Sequence, residues 1–97
     1  MISKFSKKIR QNSDKYVIFY SDWCGYSMEA IKLLKKNNIR FKAYKIDKIK
    51  GKLDKLLEML NNDSNIHSFN SSHKTRPIIF KYGQFLGGFD DLLKDIK

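Results

Sequence analysis

Cys24 is the only thiol in the chain, and it stands in the polar stretch Ser21-Asp-Trp-Cys-Gly-Tyr-Ser27. A β-prone run, Tyr16-Val-Ile-Phe-Tyr20, precedes that stretch, and a helical stripe of Met28, Ile31 and Leu34 follows it. The cysteine therefore falls between a strand end and a helix start, where free amides and the helix dipole favour the nucleophilic thiolate. Ser27, three residues on, is placed either to donate a hydrogen bond to that sulfur or to cap the helix. A lone cysteine is often a small buried hydrophobe, but Asp22, Gly25, Tyr26 and Ser27 surround this one with loop chemistry rather than core. His67 and His73 fall in a polar segment and form no metal-ligand spacing with Cys24, so no metal is expected from them. A Cys-His hydrolase would need a base near the thiol and a residue to orient it, and the sequence offers no such set. Both histidines read as solvent-exposed loop residues.

Periodicity shows which elements must hold the thiol. Ile2, Phe5 and Ile9 suggest a short basic amphipathic helix within residues 1–13, ending near Asn12-Ser13-Asp14. Tyr16–Tyr20 has the continuous apolar character of a strand buried on both faces of a parallel sheet. A helix from about Ser27 carries Met28, Ile31 and Leu34, widened by Ala30 and Leu33, and stops at Asn37-Asn38. A strand is expected from Arg40 to Asp47. A second amphipathic helix follows on Leu53, Leu56, Leu57 and Leu60 and dissolves into the polar residues 61–65. Ile78-Ile-Phe80 and Phe85-Leu86 flank Lys81-Tyr-Gly-Gln84 as a hairpin, and Leu92, Leu93 and Ile96 mark a closing helix. The order α-β-α-β-α-β-β-α is a βαβ unit followed by a ββα unit. It predicts an α/β fold with a mixed four-stranded sheet and helices on both faces.

At 97 residues, with 41% hydrophobic and 31% charged residues, the chain has the size and apolar content of one domain spanning residues 1–97, not the composition of a disordered segment. No apolar run approaches the roughly 20 residues of a membrane span. The first residues lack the apolar stretch and cleavage site of a secretory signal. A single cysteine cannot form an intrachain disulfide, and a small soluble protein of the reducing cytoplasm is expected. Twenty Lys and Arg against ten Asp and Glu give a net charge of +10. Only three of those cations are Arg, and they are scattered, whereas base readout and bidentate phosphate contacts favour Arg. The excess reads as solvation and as steering toward acidic ligands or partners, not as dedicated nucleic-acid binding. An A/T-rich coding sequence, favouring Lys, Asn and Ile, would account for the same composition.

Val17-Ile-Phe-Tyr-Ser-Asp-Trp-Cys-Gly-Tyr-Ser27 resembles the active-site segment of glutaredoxins, in which a strand ends in a C-x-x-C or C-x-x-S motif. Two further segments match in order and spacing. Lys74-Thr-Arg-Pro-Ile-Ile-Phe80 is similar to the family's T-V-P segment, and Gly87-Gly-Phe-Asp-Asp-Leu92 to its G-G-C-D-D-L segment. The likeness runs from about residue 15 to residue 97, and the first helix corresponds to an extra N-terminal helix found in the family. It implies a thioredoxin-like (glutaredoxin) fold with a core at residues 15–97.

For the site, the resemblance implies a cis bond before Pro77, which residue type alone would read as an ordinary turn proline. The backbone N–H and C=O of Arg76 would then pair with an extended cysteinyl tripeptide, as an added strand does. Gly87-Gly88 also has a plain turn reading. In the family the helix that follows receives the γ-glutamyl carboxylate of glutathione, on amides that here belong to Phe89 and Asp90. Asp90 and Asp91 would hold the ammonium, cap the helix, or both. Trp23 and Tyr26 would flank the tripeptide or pack locally, and Lys74 would supply a charge or simply be surface. Ser21 stands where many members carry a basic residue for the glycine carboxylate, and Phe89 where they carry Cys or Ser. Arg76 replaces the usual Val and adds a cation, while Asp22 adds a negative charge that opposes a thiolate at Cys24.

The activity implied is a monothiol one, with Cys24 as nucleophile, Ser27 tuning it, and glutathione as co-substrate. Expected partners are glutathione and glutathionylated proteins or small mixed disulfides, met by a monomer. The alternative comes from family members with C-G-F-S centres, which hold a [2Fe-2S] cluster between two protomers on two protein cysteines and two glutathiones. Cys24-Gly-Tyr-Ser27 differs from that motif by one hydroxyl, and Cys24 would then be the cluster ligand of a dimer. The longer insertion before the cysteine, which carries the basic residue in that class, is missing from this chain.

Overall fold

The computed structural model describes residues 4–62, 69, 73 and 75–96. Tyr16–Tyr20 form strand β1, whose Val17, Ile18 and Phe19 have no exposed surface. β1 lies inside a sheet of order β2-β1-β3-β4. It runs parallel to β2 (Phe41–Lys45) and antiparallel to β3 (Ile78–Lys81), which pairs antiparallel with β4 (Gln84–Gly87). Ile18 is in register with Ala43 on one side and Ile79 on the other.

Alternate residues of β1 feed two cores. Val17 and Phe19 pack with Ile9 of α1 (Lys4–Gln11), with Ile46, and with Leu56 and Leu60 of α3 (Lys52–Asn62). Tyr16 and Ile18 pack with Ala30, Ile31 and Leu34 of α2 (Gly25–Lys36) and with Leu92 of α4 (Phe89–Ile96). A strand covered on both faces has no polar face, so its sequence shows an unbroken apolar run. Full burial of each such Ile, Leu or Phe stabilises the fold by about 1.5–3 kcal/mol. No helix among the described residues is long and apolar enough to cross a membrane.

Several boundaries differ from the sequence reading. α2 begins at Gly25, two residues before Ser27, because the Cys24 carbonyl already accepts the Met28 N–H at 3.1 Å and closes the first turn. Its far end matches expectation: Asn38, at φ 55°, closes the helix as its N–H bonds the Lys35 carbonyl and Ile39 N–H reaches back to the Leu34 carbonyl. β2 ends at Lys45 rather than Asp47, because its partner β1 ends opposite it at Tyr20. Residues Ile46–Lys48 then form a 3-10 turn that buries Ile46 in the core. α3 continues through Asn62, and residues 63–65 lie outside the described part, as do Ile2 and the Phe5 side chain.

The β3–β4 turn places Tyr82 and Gly83 at φ 50° and 84°. Two successive left-handed residues form the tight turn whose twist suits a hairpin. At the end of the inner strands remote from Cys24, the Tyr16 hydroxyl donates to Asp95 Oδ2, and Lys81 Nζ bonds Asp95 Oδ1 at 3.0 Å. Burial first, and then the Asp95 carboxylate, push the Tyr16 hydroxyl up to about 12.

Candidate active site

Beyond the end of β1 the chain turns tightly through residues 21–24, with the Cys24 N–H bonded to the Ser21 carbonyl at 3.1 Å. Cys24 is then the first, half-in residue of α2, at φ −92° and ψ 119°, and its side chain is half-buried. It combines the backbone of a helix start with partial access to solvent.

Ser27 does neither thing the sequence suggested. With α2 starting at Gly25, Ser27 lies inside the first turn and is fully buried, and its Oγ accepts a hydrogen bond from the Ser21 N–H at 3.3 Å. The Cys24 side chain makes no capping hydrogen bond to the helix start. Ser27 thus ties the loop before the cysteine to the helix after it.

Asp22 is also differently engaged from its sequence reading. Lys45 Nζ lies 2.6 Å from Asp22 Oδ2, and that hydrogen bond holds the carboxyl below the usual carboxylate range. Its negative charge is paired with a cation. Asp47, read in the sequence only as a strand end, lies on the 3-10 turn and accepts the Trp23 Nε1–H at 3.2 Å, with a long 3.5 Å contact from Ser21 Oγ. The turn that shortens β2 thereby braces the active-site loop.

Trp23 and Tyr26, on either side of Cys24, are each 65% exposed, a large apolar area left uncovered. The Arg76 guanidinium lies 4.5 Å over the Trp23 ring, within reach of a cation–π contact. Its Nε is buried with no hydrogen-bond partner among the described residues. Tyr26 lies 6.2 Å from the Phe89 ring at the start of α4. Between these contacts runs a groove of about 420 Å³ lined by Tyr26, Thr75, Arg76 and the Gly88–Asp91 turn, with His73.

The groove brings segments distant in sequence together. The Arg76–Pro77 bond is cis, as the resemblance implies, and Pro77 is buried. His73 is not a solvent-exposed loop residue: it is half-buried, with Nε2 3.2 Å from the Pro77 carbonyl and its ring 5.3 Å from that of Phe85. Asp91 Oδ2 accepts the Gly88 N–H at 3.0 Å, a reach back to the residue before the helix. Asp90 is exposed, and the first amides of α4, at Phe89 and Asp90, have no carbonyl within the helix to bond. Lys74 and His67 lie outside the described residues. Thr75 and His73 are groove residues to which the sequence reading assigns no part in the site, because only the chain's path at Pro77 sets them beside the Gly88 turn.

The family model for glutaredoxins matches residues 16–86, most of the chain. The chain belongs to the glutaredoxin family. Membership carries thiol-disulfide oxidoreductase chemistry, and Cys24 is the only cysteine this glutaredoxin has for it. A curated "Probable glutaredoxin" of Acanthamoeba polyphaga mimivirus is 44% identical over 79 residues, covering 81% of this chain and 74% of that one. Among solved structures, the dithiolic glutaredoxin 2-C-Grx1 of Trypanosoma brucei brucei is 27% identical, with a TM-score of 0.74 over 96% of this chain and 86% of that one. A buckwheat glutaredoxin, solved as a complex with glutathione, shares the fold at 19% identity and a TM-score of 0.68, over 97% of this chain and 84% of that one. This glutaredoxin has a thioredoxin-like fold, a four-stranded mixed sheet flanked by helices that include an N-terminal one.

Proposed function

We propose that this glutaredoxin reduces glutathione mixed disulfides by a monothiol cycle carried by Cys24. The observation behind the reading is that Cys24 is the chain's only cysteine and that Ser27 occupies the position one helical turn on. In the first step the Cys24 thiolate attacks the glutathionyl sulfur. The old disulfide bond breaks, the substrate leaves as a thiolate that takes a proton, and Cys24 becomes disulfide-bonded to glutathione. In the second, the thiolate of another glutathione attacks that mixed disulfide, releasing oxidised glutathione and restoring the Cys24 thiolate.

The groove suits the tripeptide. The Arg76 backbone would pair with its cysteinyl residue, the Phe89 and Asp90 amides would receive the γ-glutamyl carboxylate, and the Asp90 carboxylate would hold the ammonium. The Arg76 guanidinium, parked on Trp23, would meet the glycine carboxylate in place of a basic residue at position 21. Lys74 would add charge nearby. We place the protein in a reducing compartment, the cytoplasm, as a monomer.

The test is turnover of a small glutathione mixed disulfide, coupled to glutathione reductase and NADPH. Turnover should be fast and be lost in Cys24→Ser. Anaerobic incubation with iron, sulfide and glutathione runs in parallel. A cluster absorbance requiring both Cys24 and glutathione, with negligible turnover, would replace this reading with a [2Fe-2S] carrier.

A further inference from the structure

The positive charge of the chain is concentrated in two segments. α1 carries four cations and no acid, and residues 41–55 carry six lysines against Asp47 and Asp54. These two segments, each net +4, hold +8 of the chain's +10. The fold brings the two segments together. Lys8 and Lys42 lie 4.7 and 5.9 Å from the ring of the same residue, Tyr44, whose hydroxyl accepts from Asn12 at the end of α1. Ile9 of α1 and Leu56 of α3 share a core beneath it.

This surface reaches the rim of the active site. Asp47, on the 3-10 turn, bonds Trp23, and Lys45 bonds Asp22, so the residues beside Cys24 are fastened to the start of the basic segment. Lys48, Lys50 and Lys52 follow at once, all exposed and without an ion pair among the described residues. A depression of about 540 Å³ opens here, with Ile49 and Met59 beside Lys50 and Lys55. It offers apolar contact within the charged rim.

We infer that the face formed by Lys48, Lys50, Lys52 and the depression at Ile49 docks the acidic flank of the protein whose glutathionylated cysteine is presented to Cys24. Charge complementarity selects the partner class: a face of unpaired lysines draws acidic surfaces and speeds their encounter. Lysine is a strongly hydrated point charge, suited to dispersed carboxylates rather than to the bidentate phosphate contacts arginine makes, and Arg10 is the only arginine in these two segments. The inference rests on Cys24 exchanging glutathione mixed disulfides, so its test keeps the two apart.

Short peptides carrying a central S-glutathionyl cysteine, flanked by Glu, by Gly and Ser, or by Lys, serve as probes. At low salt, kcat/KM should fall in that order, with about a tenfold advantage for the Glu peptide over the neutral one. Raising salt past about 0.15 M should erase it. The triple variant Lys48→Glu, Lys50→Glu, Lys52→Glu should lose the preference and keep turnover of a small mixed disulfide. A control triple on α2, Lys32→Glu, Lys35→Glu, Lys36→Glu, changes net charge equally on the opposite side of the sheet and should keep it. The Gln versions of both triples repeat the comparison without reversing charge. Equal loss in both triples, or no preference in the parent protein, overturns the inference. So does retention of a short DNA duplex at about 0.15 M salt that the first triple alone abolishes, with the peptide preference intact. If no peptide is reduced, the oxidoreductase reading fails. The docking face is then judged by anisotropy, from whether Cys24→Ser binds the Glu peptide more tightly than the neutral and Lys peptides.

Discussion

Ser27 Oγ accepts the backbone N–H of Ser21 across the active-site loop, 3.3 Å away, and both residues are fully buried. The hydroxyl thus joins the loop leading into Cys24 to the helix leading out, a structural duty separate from the sulfur chemistry.

That relationship separates two effects of substitution at this position. Ser27→Ala leaves the buried Ser21 N–H without an acceptor, so it should lower stability by about 1–3 kcal/mol while retaining most turnover of small mixed disulfides. Denaturant titration alongside the coupled assay reads both. Ser27→Cys should place a thiol within reach of the Cys24–glutathione intermediate and divert it into an intramolecular disulfide. Small-substrate turnover should then slow or stay level, with some protein-disulfide reduction appearing. Loss of all turnover in a folded, glutathione-binding Ser27→Ala would make Ser27 a catalytic residue and end the one-thiol assignment.

Gly87 guards the start of α4. Its φ is 138°, and a Cβ there would lie 2.1 Å from Asp91 Oδ2, the oxygen that accepts the Gly88 N–H. Gly87→Ala should therefore break that bond and cost about 1–3 kcal/mol of stability, and it should raise the KM for glutathione because the Phe89 and Asp90 amides shift. Unchanged KM in a destabilised variant would separate the turn from the ligand site.

Arg76 is expected to act on binding rather than on the chemical step. Arg76→Val removes the guanidinium stacked on Trp23 and should raise the KM for glutathione about tenfold, the loss of roughly one charge-assisted hydrogen bond, with kcat little changed. Replacing glutathione by its glycine ester should penalise the parent protein and not the variant. An equal ester penalty in both would remove Arg76 from the carboxylate contact.

The Tyr16–Asp95–Lys81 cluster sets two limits on stability against pH. The hydrogen bond from Tyr16, then the one from Lys81, hold Asp95 below its ordinary value of 3.8. Its contribution is present above that pH and lost as pH falls through the lowered folded value. Tyr16 runs the other way: raised from 10.0 to about 12, it contributes fully below pH 10 and loses that contribution as pH climbs toward 12. Chemical unfolding across pH should show both edges. Asp95→Asn should cost about 1–2 kcal/mol at neutral pH and shrink the acid edge, to which Asp22 also contributes, while Tyr16→Phe should shrink the alkaline one, which Lys81 and Lys45 share. An alkaline edge left unchanged by Tyr16→Phe would assign it wholly to other groups.

Much of the architecture is legible in residue order because burial writes itself into periodicity. The unbroken run Tyr16–Tyr20 declares a strand covered on both faces, the leucine stripe of α3 declares one buried side, and Asn37-Asn38 declares a helix end, since an asparagine tolerates the left-handed turn there. Cys24 at a strand–helix junction was equally visible, as chemistry carried by one residue in a local context. Tertiary structure decided what depends on segments meeting across the fold. The Ser27 hydroxyl faces Ser21 rather than the sulfur because α2 starts two residues early, and Asp47 braces Trp23 because β2 stops where β1 stops. His73 enters the groove through its contact with the Pro77 carbonyl, and Arg76 settles on Trp23 more than fifty positions away. A hydrogen bond or a stacked cation is set by direction and distance in space, and no periodicity along the chain encodes either.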